Sequence, residues 1–515
     1  MRSRRVPLAL AGLLLLPAVA ADAADRFVMR GASNVGNDCL SPASPCGTIQ
    51  YAVDLAGTSD TIKVHAGTYP ETVRIDRTFS NLILSGSWFN EFTERTAPEF
   101  PQSRIDNDFT GRALTIWADA ISINLTLDQF VLEENSGPFY GGAIRIDALN
   151  AGDVTLAIVN SDIRDNNASI SGGGIFSASA DIGSNIDLSI SGGDVANNRA
   201  RLDPGLSSGG GITAIADRGN FTLSIEDSTI SGNRSERGGG IHVFANSAAS
   251  TASVTMARNL IQDNAGYQGG AAHFEADTGG TILADLENNF IVENSAGAGG
   301  TLIYAEGSAL FLASNEAGSS VDVTSRNDTI TANNISFDIS AITAGGAPGD
   351  LVSTGAVKLS LLNTILRGNC DEEDAFINCG IAAVTDLHIN SATVTVDAAY
   401  SNLGDTSGVS SIVDLGGNVD VDSDFLNSGA SNYHLAASSD LIDAGICSEF
   451  ICQPGNPPLC FNQRLAPYDD FDGDDRPLQA TCDIGADEVP VPEPSSTALV
   501  SAALLTLALL RRVRG

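Results

Sequence analysis

Short stretches of alternating apolar and polar residues recur along this chain and predict β-strands. Residues 154–160 and 221–226 alternate with a period of two and are rich in β-branched side chains. Such alternation is typical of strands with one buried face. No apolar stripe of helical spacing and useful length occurs in the same region, which argues against a helical repeat. The pattern therefore predicts an all-β protein built from many short strands.

Two short phrases return between these strands. In the first, an aliphatic residue is followed three positions later by Asn, and successive asparagines lie 30 to 39 positions apart. These are Asn135, Asn166, Asn198, Asn233, Asn264, Asn294, Asn333 and Asn369. The second phrase, a glycine pair usually followed by an aliphatic residue, follows six of them and begins at Gly141, Gly172, Gly209, Gly238, Gly269 and Gly299. A period near 30 residues with fixed internal order indicates stacked repeats.

Each repeat has room for two or three strands joined by corners, so stacked repeats would form long parallel sheets. Gly and Asn suit such corners because both tolerate the left-handed backbone region, and an Asn amide can bond to the same turn of the next coil. The two phrases resemble the repeats of polymorphic outer-membrane proteins and, more broadly, right-handed parallel β-helix proteins with a pectate-lyase-like fold. The resemblance covers about half of the chain and implies a fold, not an activity.

Composition and charge limit the kinds of partner that the protein can bind. The 515 residues carry a formal net charge of −36, and the only lysines are Lys63 and Lys358. So acidic a chain is not expected to bind nucleic acid through its phosphates. It is long for a single compact core, whereas a solenoid avoids that limit because each coil contacts only its neighbours. An acidic exterior fits an extracellular protein and leaves Ca²⁺ as the one cofactor to consider.

The start of the chain resembles a secretory signal. Arg2, Arg4 and Arg5 precede a short apolar stretch, and small residues near position 20 offer cleavage sites. An exported chain favours disulfides for its eight cysteines, which cluster toward the two ends. Among many possible connectivities we expect Cys39–Cys46, Cys370–Cys379, Cys447–Cys452 and Cys460–Cys482. A zinc site is not expected, because no Cys-x-x-Cys pair occurs and histidine is scarce.

The end of the chain carries two further resemblances. Ordered phrases between residues 400 and 489, such as residues 433–435 and 483–488, resemble the choice-of-anchor Q domain, which closes the β-helix of bacterial surface proteins. The tail resembles the PEP-CTERM sorting signal, which implies transient membrane anchoring and processing by an exosortase-type protease. That signal would comprise a short apolar run flanked by Pro492, Glu493, Pro494, Arg511, Arg512 and Arg514. The run is short for a spanning helix, although an ordinary C-terminal anchor remains the alternative.

These observations divide the chain into five segments. We expect a signal peptide at residues 1–24, an N-terminal cap and first coils at 25–130, and β-helix repeats at 131–399. A disulfide-rich C-terminal cap would follow at 400–489, and the sorting or transmembrane signal at 490–515. An amphipathic pattern at residues 46–56 predicts a short capping helix that covers the open end of the first coil.

Candidate chemistry lies at the residue before each repeat asparagine. Glu134 with Asp165, and Asp263 with Glu293, should each stack one coil apart, about 4.8 Å, and Arg164 adjoins the first pair. Paired carboxylates with an arginine would suit acid–base work on a polysaccharide or hold a cation. Exposed corner carboxylates also occur for solubility alone.

A second candidate lies near the C-terminus. The alternating Asp470, Asp472 and Asp474 resemble part of a calcium loop that lacks the far glutamate. Such a loop would bind Ca²⁺ and stiffen the C-terminal cap. The alternative is an acidic, solvent-exposed turn.

Two functions follow. The first is an exported, surface-displayed or matrix-associated β-helix protein that is not an enzyme and that adheres to glycans or other surfaces. The second is a secreted polysaccharide lyase or hydrolase with the same fold. The first is favoured because every recurring residue has an architectural explanation.

Overall fold

The protein is a parallel β-helix in the computed structural model. The residues that the structure describes are 23–95, 102–201, 207–296, 307–335, 342–344, 355–369, 387–389, 394–404, 412–453, 459–476 and 481–489. The signal region up to residue 22, Gly299, the Cys370 and Cys379 pair, and the sorting signal at 490–515 lie outside these ranges.

Three stacked parallel sheets form the body, and each coil in its middle contributes one strand to each sheet. Sheet 1 contains Asp25–Val28, Thr61–His65, Phe79–Phe89, Ser122–Asp128, Asp153–Val159, Asn185–Ser191, Asn220–Glu226, Thr251–Ala257, Thr281–Glu287, Ser320–Arg326, Ala356–Leu362, Val394–Ala399 and Ile412–Asp414, with Glu94–Arg95 antiparallel to its third strand. Sheet 2 contains Gly67–Tyr69, Ser103–Asp106, Phe130–Glu133, Asp162–Arg164, Asp194–Ala196, Thr229–Ser231, Leu260–Gln262, Phe290–Val292, Thr329–Thr331, Ile365–Leu366 and Asn402–Leu403. Sheet 3 contains Val73–Ile75, Leu114–Asp119, Ile144–Leu149, Ile175–Ser179, Ile212–Ala216, Ile241–Ala245, Ala272–Ala276, Leu310–Ser314, Ile342–Ala344 and Leu387–Ile389.

Two short ribbons continue the corners between sheets 2 and 3. They contain Ser136–Gly137, Asn167–Ala168 and Arg199–Ala200, and then Ala265–Gly266, Ser295–Ala296 and Asn334–Ile335. The predicted all-β solenoid is therefore confirmed.

Register between coils places like residues above one another. Leu156 of sheet 1 pairs with Leu188, which pairs with Leu223, and all three are buried. Each such side chain contributes roughly 1.5–3 kcal/mol by leaving water. Because alternate strand residues face outward, one face of every sheet builds the core and the other is free to vary.

The repeat asparagines form a buried ladder through the stack. Each side-chain amide donates to the side-chain oxygen of the next asparagine at 2.9–3.1 Å. The ladder begins one coil earlier than the sequence pattern shows, at Asn107. It satisfies corner groups that would otherwise be buried without partners, as the sequence predicts.

The glycine pairs are required by the corner geometry. Gly238 has φ of +60°, and a Cβ on Gly239 would lie 2.5 Å from the carbonyl carbon of Ala265 in the next coil. Any larger residue at the second position would therefore force neighbouring coils apart.

The helix Ile49–Leu55 caps the first coil, as predicted. Its residues Ile49, Ala52 and Val53 are buried. The carboxylate of Glu71 accepts hydrogen bonds from the backbone N–H groups of Ile49 and Gln50 at 2.8 and 2.9 Å, which satisfies the open helix start. The predicted Cys39–Cys46 disulfide is present.

The C-terminal region folds back along the flank of the stack. It contains the strand pairs Phe425–Asn427 with Asn432–Leu435, Gly445–Ile446 with Thr481–Cys482, and Ser448–Gln453 with Leu459–Arg464, and the 3-10 turn Ser428–Ala430. Corner asparagines of three coils hold it: the Asn288, Asn327 and Asn363 amides donate to backbone carbonyl oxygens of this region. It is therefore a lateral brace as well as a terminal cap.

Two disulfide predictions are wrong in this region. Cys447 bonds to Cys482, so neither Cys447–Cys452 nor Cys460–Cys482 forms. The reason is strand pairing: Gly445–Ile446 runs antiparallel to Thr481–Cys482, which brings Cys447 against Cys482. The backbone register also places Cys452 opposite Cys460.

Within the described ranges, no helix has the length and apolar character that crossing a bilayer requires.

Candidate functional site

The four carboxylates predicted to precede ladder asparagines, Glu134, Asp165, Asp263 and Glu293, occupy one corner of the coil. The residue before each ladder asparagine has a left-handed backbone in eight successive coils. These residues are Glu134, Asp165, Asn197, Gly232, Asp263, Glu293, Ala332 and Gly368. Their φ values of 52–68° show that the position is set by backbone conformation, which Gly, Asn and Asp tolerate best. The acidic side chains therefore stand at a solvent-facing turn.

The first pair of carboxylates lies on an open surface. Glu134 and Asp165 are both exposed. Negative charge from Asp106 is the main factor that raises the pKa of Glu134, and Asp165 has a smaller part. Repulsion of this kind is typical of an acidic surface and does not indicate an enclosed site.

Arg164 is turned away from that pair. Its guanidinium donates to Oε2 of Glu133 at 2.8 and 3.0 Å, and Arg104 donates to the other oxygen of the same carboxylate. The three side chains form an ion triad on the outer face of sheet 2. The structure therefore brings Glu134 close to Asp165 but engages Arg164 in a contact that stabilises neighbouring coils.

The second pair borders a groove. The space measures about 650 Å³ and lies over four successive coils. Its lining is Asn197, Asn198, Arg199, Gly232, Arg234, Asp263, Ala265, Glu293 and Ser295. We call it the arginine–carboxylate groove, because cations line one end and carboxylates the other.

Two arginines stack at the cationic end. Arg199 and Arg234 are bridge partners on neighbouring coils, so their backbones lie about 4.8 Å apart, and both side chains are exposed. Like charges opposite one another are unfavourable in a sheet, so a bound anion would relieve their repulsion. Sequence reasoning missed them, although each directly follows a ladder asparagine, Asn198 or Asn233, and the shared repeat position was a usable signal.

The acidic end is partly fixed by the C-terminal region. Oε1 of Glu293 accepts hydrogen bonds from the Ser431 hydroxyl at 2.7 Å and the Tyr433 hydroxyl at 2.9 Å. Burial is the main factor that raises the pKa of Asp263, and the negative charge of Glu293 adds to it. The groove thus offers two guanidinium groups, an oriented carboxylate and a carboxyl that holds its proton to higher pH than usual.

The three candidate calcium ligands have different surroundings. Asp470 is buried, and its two oxygens accept hydrogen bonds from the backbone N–H groups of Asp474 and Glu488 at 2.8 and 3.1 Å. Asp472 and Asp474 are exposed. Among the described residues, Asp472 instead falls within reach of His434 and Asp487. Calcium binding by Asp470, Asp472 and Asp474 stays a prediction.

A larger space of about 1030 Å³ lies between sheet 1 and the C-terminal region. It includes Arg326, Asp397, Tyr400 and Tyr468 in its lining. Arg326 is already paired with Asp285 and Glu287 at 2.6 and 3.1 Å. The arginine–carboxylate groove, whose arginines stack without such pairing to carboxylates in the described contacts, is therefore the stronger candidate.

Comparisons with known proteins identify neither a family nor an activity. No family model matches the chain, and no curated protein matches it. Among solved structures it is similar to pectate lyase Pel9A, with a TM-score of 0.42 and 13% identity over 91% of this chain and 98% of that one. It is also similar to XylC in complex with xylose, with a TM-score of 0.40 and 10% identity over 90% and 98% of the two chains. Likeness this distant transfers no activity. The chain's own stack of three parallel sheets is what makes it a parallel β-helix protein.

Proposed function

We propose that this protein is an exported β-helix scaffold that binds acidic glycans in the arginine–carboxylate groove without cleaving them. The observation that carries the proposal is the stacked pair of exposed arginines, Arg199 and Arg234, on neighbouring coils. Guanidinium groups bind carboxylate and sulfate groups through paired hydrogen bonds. Two guanidinium groups at coil spacing could both bind the acidic group of one sugar.

The net charge of the whole chain determines how an acidic glycan could bind. A net charge of −36 repels polyanions at long range, so binding of an acidic glycan requires a local cationic feature. That repulsion is screened beyond about 8 Å at physiological ionic strength, whereas contacts inside the groove act at hydrogen-bond distance. The carboxylates at the other end would accept hydrogen bonds from sugar hydroxyl groups.

A binding role suits the groove better than catalysis. Glu293 is held by two hydroxyl donors from the C-terminal region, and Arg164, the arginine of the other candidate pair, is engaged by Glu133. The recurring asparagines and glycines are used in the ladder and corners. These features support a scaffold in which coil positions display groups along a surface.

The enzyme alternative rests on the pair formed by Asp263 and Glu293. Asp263 and Glu293 stand at equivalent corners of adjacent coils, and the pKa of Asp263 is raised. Carboxyl groups about 5 Å apart are typical of retaining glycosidases, and Arg234 lies one coil away. A polysaccharide hydrolase or lyase would use this same groove.

Export and sorting belong to the proposal as well. The signal-like residues 1–24 and the disulfides Cys39–Cys46 and Cys447–Cys482 support an oxidising compartment outside the cytoplasm. The PEP-CTERM-like residues 490–515 support processing by an exosortase-type protease and a cell-surface or matrix destination. The choice-of-anchor Q-like residues 400–489 would close the β-helix ahead of that tail.

Glycan binding tests the proposal directly. The purified protein is screened on an array of uronic-acid, sulfated and neutral glycans, and the best ligand is titrated against variants. Arg199→Gln with Arg234→Gln should weaken binding at least about ten-fold, because each charged hydrogen bond is worth about 1.5–3 kcal/mol. Arg218→Gln is the matched control, since Arg218 is exposed and pairs with Asp181 outside the groove. Equal binding by the double variant and the control would contradict the proposal.

A further inference from the structure

Two of the five histidines stack in the middle of sheet 3. His242 and His273 hold equivalent positions in successive repeats and are register partners on the adjacent strands Ile241–Ala245 and Ala272–Ala276. Glu275 lies two residues after His273, on the same outward face of its strand. The ring centroids of the two histidines are 5.0 Å apart.

The three side chains converge on one point. Nε2 of His242 lies 3.6 Å from Oε2 of Glu275, and Nε2 of His273 lies 3.9 Å from the same oxygen. Candidate ligand atoms of all three residues lie within 4.8 Å of one another. Both nitrogen–oxygen distances exceed hydrogen-bond length, so these contacts do not satisfy the rings.

Burial makes this arrangement costly without a further partner. His242 and His273 are only 5% and 1% exposed, and none of their four ring nitrogens has a hydrogen-bond partner in the described structure. Buried polar atoms are nearly always paired, and an exception of this kind points to an additional ion or ligand.

The carboxylate is already oriented for such a role. Asn315 donates to Oε1 of Glu275 at 2.9 Å, which leaves Oε2 directed toward the histidines. Arg237 donates to Oε2 at 3.0 Å, but its side chain is 43% exposed and can turn toward solvent. Hydrogen bonds of this type fix the position of metal-binding carboxylates.

We propose that Nε2 of His242, Nε2 of His273 and Oε2 of Glu275 bind one divalent transition-metal ion, with zinc as the best fit. Two imidazoles and a carboxylate form a donor set that suits Zn²⁺. Donor atoms about 2.0–2.2 Å from a tetrahedral ion lie about 3.4 Å from one another, so the nitrogen–oxygen spacings of 3.6 and 3.9 Å need to close by about 0.2 and 0.5 Å. The ion would join adjacent coils and give both Nε2 atoms a partner. This site is independent of the proposed glycan binding.

Metal content and affinity test the site. The full protein is stripped with a chelator and dialysed, and Zn²⁺ is then titrated by calorimetry, with thermal unfolding followed with and without the ion. One equivalent should bind per chain and raise the unfolding midpoint. Replacement of zinc by Co²⁺ should give the visible absorption of a four-coordinate site.

Single variants locate the ion. His273→Gln and Glu275→Gln should each lower the affinity at least about ten-fold, because each removes one ligand. His434→Gln is the matched control, since His434 belongs to the other group of potential ligands, with Asp472 and Asp487. Absence of zinc binding by the folded, unsubstituted protein would overturn the proposal without reference to any variant. Loss of binding in His434→Gln with retention in His273→Gln would overturn it equally.

Discussion

The asparagine ladder leads to a specific prediction about stability, which a substitution of Asn264, near its middle, can test. Its side chain is fully buried and takes part in four hydrogen bonds. The amide donates to the carbonyl of Ile230 and to Oδ1 of Asn294, and its oxygen accepts from the backbone and side-chain nitrogens of Asn233.

Asn264→Ala would remove all four bonds at once. Three buried groups, the carbonyl of Ile230 and the two Asn233 nitrogens, would lose a partner at about 1–3 kcal/mol each. Because neighbouring losses are not additive, we expect a total cost of about 4 kcal/mol. Oδ1 of Asn294 would retain the bond from the backbone N–H of residue 264.

Hydrogen exchange with thermal unfolding measures this loss. Stacked repeats contact only their neighbours, so the damage should concentrate in adjoining coils. Exchange should accelerate most at the amides of the coils on either side of Asn264. The control is Thr255→Ala, an exposed position of the same coil, which should change stability by less than about 0.5 kcal/mol. Equal stability of the two variants would refute a stabilising role for the ladder.

Three other substitutions test the corners and the brace. Asp328 stands in a second buried ladder, where it accepts from Asn289, and burial raises its pKa to about 7. The protonated carboxyl therefore contributes stability that is fully present below about pH 4 and is lost as the pH rises through about 7. Asp328→Asn should accordingly stabilise the protein most at pH 8, as measured by urea unfolding midpoints across pH. Gly239→Ala should cost about 1–3 kcal/mol in the same assay, because the added carbon overlaps the next coil. Arg476→Met should expose the C-terminal brace to limited proteolysis, because it leaves Glu488 buried without its partner at 2.6 Å, and an unchanged cleavage rate would contradict the brace.

The fold could be predicted because its requirements recur in the sequence. Each coil needs an amide at the ladder and a residue without a side chain at the tight corner, so Asn and Gly return at fixed positions. The second ladder could not be found in this way. Its positions hold Ser228, Asn259, Asn289 and Asp328, which share hydrogen-bonding capacity but no common identity.

The candidate site was only half predictable. Stacking of Asp263 above Glu293 follows from the period, whereas the direction in which a side chain turns depends on neighbours in other coils. Glu133 attracts Arg164 away from the predicted pair, for example. Long-range contacts were also invisible, since Glu293 meets Ser431 and Tyr433 across more than 130 positions. The scarcity of histidine concealed the pairing of His242 with His273, which becomes clear only once the repeats are aligned in register.

Binding of glycans in the groove without cleavage can be tested by a product assay. The purified protein is incubated with acidic and neutral polysaccharides in the presence of Ca²⁺ and, separately, Zn²⁺, and unsaturated products and reducing ends are measured. We expect no product from any polysaccharide, including one that binds through Arg199 and Arg234. Steady product formation that is abolished by Asp263→Asn or Glu293→Gln would contradict it and identify the groove as an active site.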